Sequence, residues 1–317
     1  MIFSLIIASI LAYYFLSRII RSLKVTGYAD KYVFITGCDT GFGRDLAQRL
    51  DSLGFHVFAG CLTLEGSKSL TQTCSSRFVA VTLDVSKPES IASAVTEVRA
   101  KIPGDRGLWA LVNNAGIGGP WCPSEMCCRH DYISVFEVNI LGLVETTRLC
   151  LPLLRKARGR VVNMASAAGF LAFIAAPYAC SKFAVEAYSD VLRRETAKSG
   201  IKVAILEPGV FRTEIFNVDK MVDRIKISRD ACSKEVIDYF GPDVLDRCRE
   251  RLLGYYNGGS TEVRLVVDAY THAVTARYPL TRYTVGTDCK LLFRPLAYLP
   301  DWFVDLFISV KVYPAGP

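Results

Sequence analysis

Six short runs rich in β-branched and aromatic residues, each followed by a longer stretch of helical period, constrain this chain more than any other feature. They are 32–36 (YVFIT), 56–61 (HVFAGC), 78–85 (FVAVTLDV), 109–116 (WALVNNAG), 160–166 (RVVNMAS) and 202–209 (KVAILEPG). Runs this apolar, without strict alternation, suit strands buried on both faces, as parallel strands are when helices cover the sheet. From about Asp30 the pattern therefore predicts an α/β fold, a doubly wound parallel sheet in a single domain. Such sheets bind ligands beyond the carboxyl ends of their strands.

Charge and cysteine content exclude several alternatives. The chain has 38 basic against 31 acidic residues, a net charge of +7, but apart from Arg155, Lys156, Arg158 and Arg160 the basic residues are scattered. No basic stripe interleaved with aromatics is present, so no nucleic-acid partner is expected. Eleven cysteines, an odd number without a C-x-x-C pair, read as buried thiols rather than a disulfide framework. Cys122, Cys127, Cys128 and His130 match no standard zinc spacing, and no metal is expected.

The amino terminus is different material. Ile2 to Leu16 carry no charge, and Arg18, Arg21 and Lys24 follow. Without a basic leader or a small-residue cleavage site, residues 1–24 read as a retained membrane anchor helix, with a shallow interfacial helix as the alternative. Basic residues behind the apolar run place the body on the cytosolic side. Residues 25–290 form the main domain. For the apolar segment 291–317 two readings stay open: a helix packed on the domain or a dimer, and a second membrane contact.

The first strand runs into Gly37-Cys-Asp-Thr-Gly41-Phe-Gly43 and then a helical pattern. Glycines at this strand-to-helix junction let a phosphate approach backbone amides at a helix N-terminus, which points to a dinucleotide pyrophosphate. Beyond the second strand no acid stands where a ribose contact is usual, and Glu65 and Lys68 vote oppositely on NAD against NADP.

Further along, Tyr178 and Lys182 lie four residues apart on one helix face. An ammonium that close favours the phenolate, as proton exchange with an alcohol oxygen requires. Ser166 ends the fifth run, where its hydroxyl could bond the same oxygen. Asn139 is a polar side chain in an apolar helical pattern, and Asn113-Asn114-Ala115-Gly116 ends the fourth run at the same sheet edge.

TGCDTGFG (36–43), LDV (83–85), NNAG (113–116), Asn139, Ser166, YACSK (178–182) and PG (208–209) together resemble the short-chain dehydrogenase/reductase family, a Rossmann-fold family. TRYTVGTDCKLLFRPLAYLP (281–300) and other stretches are similar to its membrane-associated branch, which contains retinol dehydrogenases, 17β-hydroxysteroid dehydrogenases and D-3-hydroxybutyrate dehydrogenase. The resemblance implies that Tyr178 is the general acid/base and that Lys182 lowers its pKa and holds the nicotinamide ribose. Ser166 would orient the substrate oxygen, and Asn139 would hold a water linking Lys182 to solvent. Gly37, Asp39, Thr40, Gly41, Phe42 and Gly43 would receive the pyrophosphate end. Asp84 and Val85 would meet the adenine, and Asn113, Ala115 and Gly116 the adenosine side. Pro208, Gly209, Val210 and Thr213 would take the nicotinamide end. NAD is favoured, with NADP not excluded.

The stretches from Ile117 to Met126 and from Phe211 to Met221 should form the substrate mouth. Trp121, Met126, Phe211, Ile215 and Phe216 make it apolar, which suits a lipophilic alcohol, retinoid or hydroxysteroid, reached from membrane lipid. The alternative is a small hydroxy acid anchored by Arg129 or Arg212; a non-catalytic lipid-binding relative is the third reading. The branch further implies a homodimer and an endoplasmic reticulum location.

Overall fold

The structure, a computed structural model, describes Ser9, Ala12 and residues 15–311. Seven strands form one parallel sheet in the order β3-β2-β1-β4-β5-β6-β7. They are β1 Tyr32–Thr36, β2 His56–Cys61, β3 Phe78–Thr82, β4 Leu108–Asn113, β5 Arg160–Met164, β6 Lys202–Pro208 and β7 Arg282–Val285. The first six lie within or close to the six apolar runs. Four of those runs overshoot their strands, because Leu83-Asp84-Val85, Asn114-Ala115-Gly116, Ala165-Ser166 and Gly209 leave the ladder to form the rim of a cleft. The seventh has only four residues, two of them half-buried, and carries too little pattern to be read from sequence.

Strand order reverses between β1 and β4, so the connections leaving them diverge and a crevice opens there. On one face, α1 (Gly41–Ser52) contributes Leu46, Ala47 and Leu50, and α10 (Arg264–Thr275) contributes Val266, Tyr270 and Val274, to a core shared with β1, β2 and β4. On the other, Ile91, Val95 and Val98 of α3 (Pro88–Lys101) pack with Cys150 and Leu154 of α5 (Gly142–Ala157) and Leu192 of α6 (Ala176–Thr196). The spacings of three and four set each apolar stripe against the sheet. Each fully buried aliphatic side chain stabilises the fold by about 1.5–3 kcal/mol.

The basic cluster before β5 is not all surface. Arg160 is buried, donates to the carbonyls of Ala273 and Ala276 at 3.1 and 2.8 Å, and stacks 4.1 Å from the Trp109 ring centre. Burial pulls its pKa down to about 10. It ties β5 to the end of α10.

Between β6 and α10 the chain forms α7 (Val218–Asp230), α8 (Lys234–Phe240) and α9 (Val244–Gly258), which share a small core of their own around Met221, Ile225, Cys248 and Leu252. After β7, a π-helical turn Cys289–Phe293 and α11 (Asp301–Lys311) follow.

Most of Ile2 to Leu16, the uncharged part of the anchor expected over residues 1–24, lies outside the described residues. Among those described, no helix is long and apolar enough to cross a membrane. Residues 15–22 are helical, and Phe15, Leu16 and Ile19 are exposed. This helix is docked at its end: Val25 N–H donates to Thr275 O at 2.9 Å and Arg277 N–H to Leu23 O at 2.7 Å.

Candidate active site

A cavity of about 510 Å³ opens at the carboxyl ends of the strands, over the point where the order reverses. Gly37, Asp39, Thr40, Gly41 and Phe42 line its floor at the start of α1. The three glycines do different jobs. Gly37 (φ +70°) sits where an added Cβ would meet Ala115 at 2.8 Å, and Gly41 (φ +60°) faces the cavity with only Thr213 near. Gly43 does not reach the cavity: a Cβ there would strike Gly37 O at 2.3 Å and Asn114 Nδ2 at 2.5 Å. Its task is close packing of helix against strand, rather than the open approach to an amide expected from the sequence. The cradle nonetheless fits a pyrophosphate, since Thr40, Gly41 and Phe42 present the helix N-terminus to open space and the buried Thr213 Oγ1 has no partner among the described residues.

Asp39 supplies what the second strand lacks. Its carboxylate accepts from Leu62 N, Thr63 N and Thr63 Oγ1 at 2.8, 2.8 and 2.7 Å, so a negative group from the glycine loop stands at the end of β2. Asp39, expected at the pyrophosphate end, thus reaches the end of β2 from the neighbouring loop. Asp84 and Val85 line the same end, with Asp84 Oδ1 accepting from Ser86 N and Oγ at 3.0 and 2.6 Å.

Of the NNAG run, Ala115 and Gly116 line the cavity, and so does Asn114, which the sequence reading left unassigned. Asn113, expected on the adenosine side, instead points into the interior. It is buried and donates to Thr147 Oγ1 and Asn163 Oδ1 at 2.9 and 2.8 Å. Alternation along a strand explains the exchange, since adjacent residues face opposite ways. Asn114 holds the glycine loop through Thr36 O and Gly37 O at 3.1 and 2.9 Å.

Tyr178, Lys182 and Ser166 all line the cavity, because the first turn of α6 lies beside the end of β5. Lys182 Nζ donates to Met164 O at 2.9 Å and lies 5.6 Å from the Tyr178 ring centre. Burial is the dominant electrostatic cause at both groups. It pulls the Lys182 pKa down to about 8 and pushes the Tyr178 phenol up, a hydrogen bond with Ser166 opposing the latter. The expected lowering of the tyrosine by the lysine is thus not what this site displays: desolvation disfavours both charges, and the ammonium is directed at a carbonyl.

Asn139 lies in a π-helical turn, Glu137–Leu141, and is buried. Its amide accepts from Ile117 N at 2.8 Å and donates to Ile117 O and Ser181 Oγ, both at 3.0 Å. Those bonds brace the strap behind Gly116, and the side chain does not line the cavity.

Pro208, Gly209, Val210 and Thr213 line the opposite wall. Asp288, which lies in the 281–300 stretch and carries no assigned role there, clamps Gly209 and Val210. Its carboxylate accepts from Val210 N at 2.7 Å and Cys289 N at 2.8 Å, and a Cβ on Gly209 would collide with it at 2.2 Å. The roof is aromatic. Trp121 stands edge-on to Phe216 at 4.8 Å and to Tyr255 at 6.0 Å, and 6.4 Å from Tyr178; Phe173 stacks on Phe293 at 4.7 Å. Phe211 lines the cavity but belongs chiefly to the main core, edge-on to Phe42 at 5.8 Å, and Met126 is buried in the small α7–α9 core.

Fold and site together define a dinucleotide-binding α/β protein whose cleft holds a tyrosine, a lysine and a serine suited to moving a proton at an alcohol oxygen. Residues 31–221 match the family described as short chain dehydrogenase. Rat retinol dehydrogenase 7 is 45% identical over 300 residues, covering 93% of this chain and 94% of that protein. Human 17-beta-hydroxysteroid dehydrogenase type 6 is 42% identical over 306 residues, 96% of each chain. Among solved structures, a short-chain dehydrogenase from Streptomyces avermitilis superposes with a TM-score of 0.67 at 26% identity, over 89% of this chain and 97% of that one. The chain belongs to the short chain dehydrogenase family.

Proposed function

We propose that the protein oxidises a lipophilic secondary or allylic alcohol, of retinoid or hydroxysteroid type, to its carbonyl, and catalyses the reverse reduction. One observation carries the substrate class: the aromatic wall of Trp121, Phe216 and Phe173, backed by Tyr255, runs directly to Tyr178. Relatives named for retinol and for 17-beta-hydroxysteroids, similar over almost the whole chain, support it. Neither Arg129 nor Arg212 lines the cavity, and Arg212 Nε is bonded to Tyr256 O and Gly259 O at 2.9 and 3.1 Å, which disfavours the small hydroxy acid reading. Lys220 and Arg224 do line it, but on an exposed stretch of α7, with Lys220 3.8 Å from Glu214.

A nicotinamide dinucleotide, when bound, accepts the hydride from the carbinol carbon. The chain's own residues place the alcohol and handle its proton. Ser166 holds the substrate oxygen and Tyr178 takes the hydroxyl proton, with Lys182 held beside it by its bond to Met164 O. The Asp39 carboxylate beside Leu62 would repel a 2′-phosphate, so NAD is the better fit. Replacing Asp39 by Ser should shift preference towards NADP.

The exposed apolar side chains of residues 15–23 and of α11, Trp302 and Leu306 among them, suit contact with a lipid surface, in keeping with residues 1–24 as an anchor and 291–317 as a second contact. An endoplasmic reticulum membrane and a homodimer complete the reading; Leu141, Phe183 and Val191 expose apolar groups near and along α5 and α6.

The test is initial-rate absorbance of reduced nicotinamide with detergent-solubilised protein, crossing NAD and NADP with all-trans-retinol, an androstane-3α,17β-diol and D-3-hydroxybutyrate. A rate confined to the lipophilic alcohols is expected; a rate confined to hydroxybutyrate would overturn the substrate class.

A further inference from the structure

The loop that carries Trp121 holds two thiols the reaction does not use. Cys122 Sγ and Cys127 Sγ lie 3.6 Å apart across the 3₁₀ turn Ser124–Met126. Both are free cysteines, Cys122 buried and Cys127 half-buried. Other thiols lie nearby, Cys232 Sγ among them at 3.8 Å from Met126 O. Cys128 is exposed and caps α4 (Arg129–Phe136), its own N–H donating to Asp131 Oδ2 at 2.8 Å. The Cys232 thiol is directed at Ser228 O at 3.2 Å, and Cys248 is buried in the α7–α9 core. Among the described residues no cluster of three His, Cys, Asp or Glu side chains is disposed to hold a metal ion.

The two sulfurs are also electronically unequal. The hydrogen bond between the two thiols lowers the Cys127 pKa against the opposing effects of burial and Asp131, while the same bond and burial raise Cys122. A thiolate at Cys127 is the nucleophile such chemistry needs, and Cys122 is the thiol placed to follow it.

We propose that Cys122 and Cys127 form an oxidation site, in which hydrogen peroxide converts the pair to a reversible disulfide that reshapes the substrate mouth. The Cys127 thiolate attacks the peroxide, breaking the O–O bond and giving a sulfenic acid and hydroxide. The Cys122 thiol then attacks that sulfur, forming S–S and releasing water, so two thiols are oxidised and one peroxide is reduced to two waters. Closing the sulfurs from 3.6 Å to about 2.05 Å must tighten the turn between them. Trp121 is joined directly to Cys122, its indole donating to Gly118 O at 3.2 Å and its ring resting on Phe216. The alcohol side of the cleft therefore moves, whereas the glycine loop, on other elements, does not. Only this kinetic consequence rests on the function proposed above; formation of the bridge does not.

The test uses the full chain, reduced, desalted and pulsed with hydrogen peroxide, then alkylated and digested with trypsin. The peptide 107–129 should appear two hydrogens lighter, alkylated once at Cys128, and dithiothreitol should restore three alkylated cysteines. Cys127 joined to Cys128, Cys232 or Cys248, or driven to sulfinic acid with Cys122 still alkylated, would overturn the proposal. In parallel, the oxidised protein should show a several-fold higher KM for the alcohol with unchanged NADH affinity, and Cys122→Ala should be insensitive to the pulse. A bridge that forms without moving that KM would overturn the effect on the mouth. Because the mass measurement is made on the unmutated chain, misfolding of the variant does not obscure it.

Discussion

The floor and the roof of the cleft are held together in different ways. The floor is fixed by short hydrogen bonds between loops: Asp39 to Leu62 and Thr63, Asn114 to Thr36 and Gly37, Lys182 to Met164, Asn139 to Ile117. Around Trp121, by contrast, the roof is held mainly by apolar contact, with Phe216, Tyr255 and Phe173 ring against ring and the α7–α9 core behind them. Directional bonds fix atoms where a cofactor and a proton must be met, and non-directional packing leaves a surface that fits a shape. Chemistry should therefore be fragile to single atoms on the floor, and selectivity should respond to bulk in the roof.

The largest effect should follow from removing one oxygen at the floor. Tyr178→Phe should lower kcat by about 10²–10⁴-fold while NADH still binds, as followed by stopped-flow absorbance and fluorescence titration. Near-normal turnover would break the division of labour. Gly43→Ala should also act on the floor, since the new methyl has nowhere to go between Gly37 O and Asn114. A loss of about 1–3 kcal/mol in urea unfolding is expected, with weaker NADH binding as the loop shifts.

In the roof, Trp121→Ala should raise the KM for a lipophilic alcohol by about 10-fold and leave NADH affinity alone. An equal loss in both would mean the two regions are not separable.

The smallest effect is a pH dependence. Lys182 is pulled to about pKa 8 by burial, and an anionic pyrophosphate in the cleft favours its charged form. Binding of NADH should thus take up a proton near pH 8, and affinity should fall as pH rises above that value. Calorimetry in two buffers of different ionisation enthalpy measures the uptake, and Lys182→Met should abolish it. The same shift bears on folding. Between pH 8 and the ordinary lysine value of 10.5 the unfolded chain binds the extra proton, so the free protein gains stability over that window and the variant gains less.

The same contrast explains what could be read from the sequence. The floor is built from residues close together in the chain, and Gly37 to Gly43, Asn113 to Gly116 and Tyr178 to Lys182 each announce themselves by local spacing. The differences there are one residue wide: Asn114 rather than Asn113 faces the cleft, because adjacent residues of a strand point to opposite sides. Gly43 was read as an opening and is a packing contact. The roof and the Gly209-Val210 wall depend on pairs far apart in sequence. Asp288 grips Val210 across 78 positions, and Phe293 meets Phe173 across the cleft edge, contacts with no local signature. The edge strand β7 escaped notice for a related reason, since four half-patterned residues are shorter than any reliable period.

The central claim is that this cleft moves a hydride between a lipophilic alcohol and a nicotinamide while Tyr178 moves the proton. It is tested most directly by a single turnover with an alcohol deuterated at its carbinol carbon, using unmutated protein and excess NAD, with mass analysis of the reduced cofactor. Deuterium recovered in the reduced nicotinamide, and none recovered with Tyr178→Phe in the same time, is the predicted result. Carbonyl product formed with the label lost to solvent would contradict it.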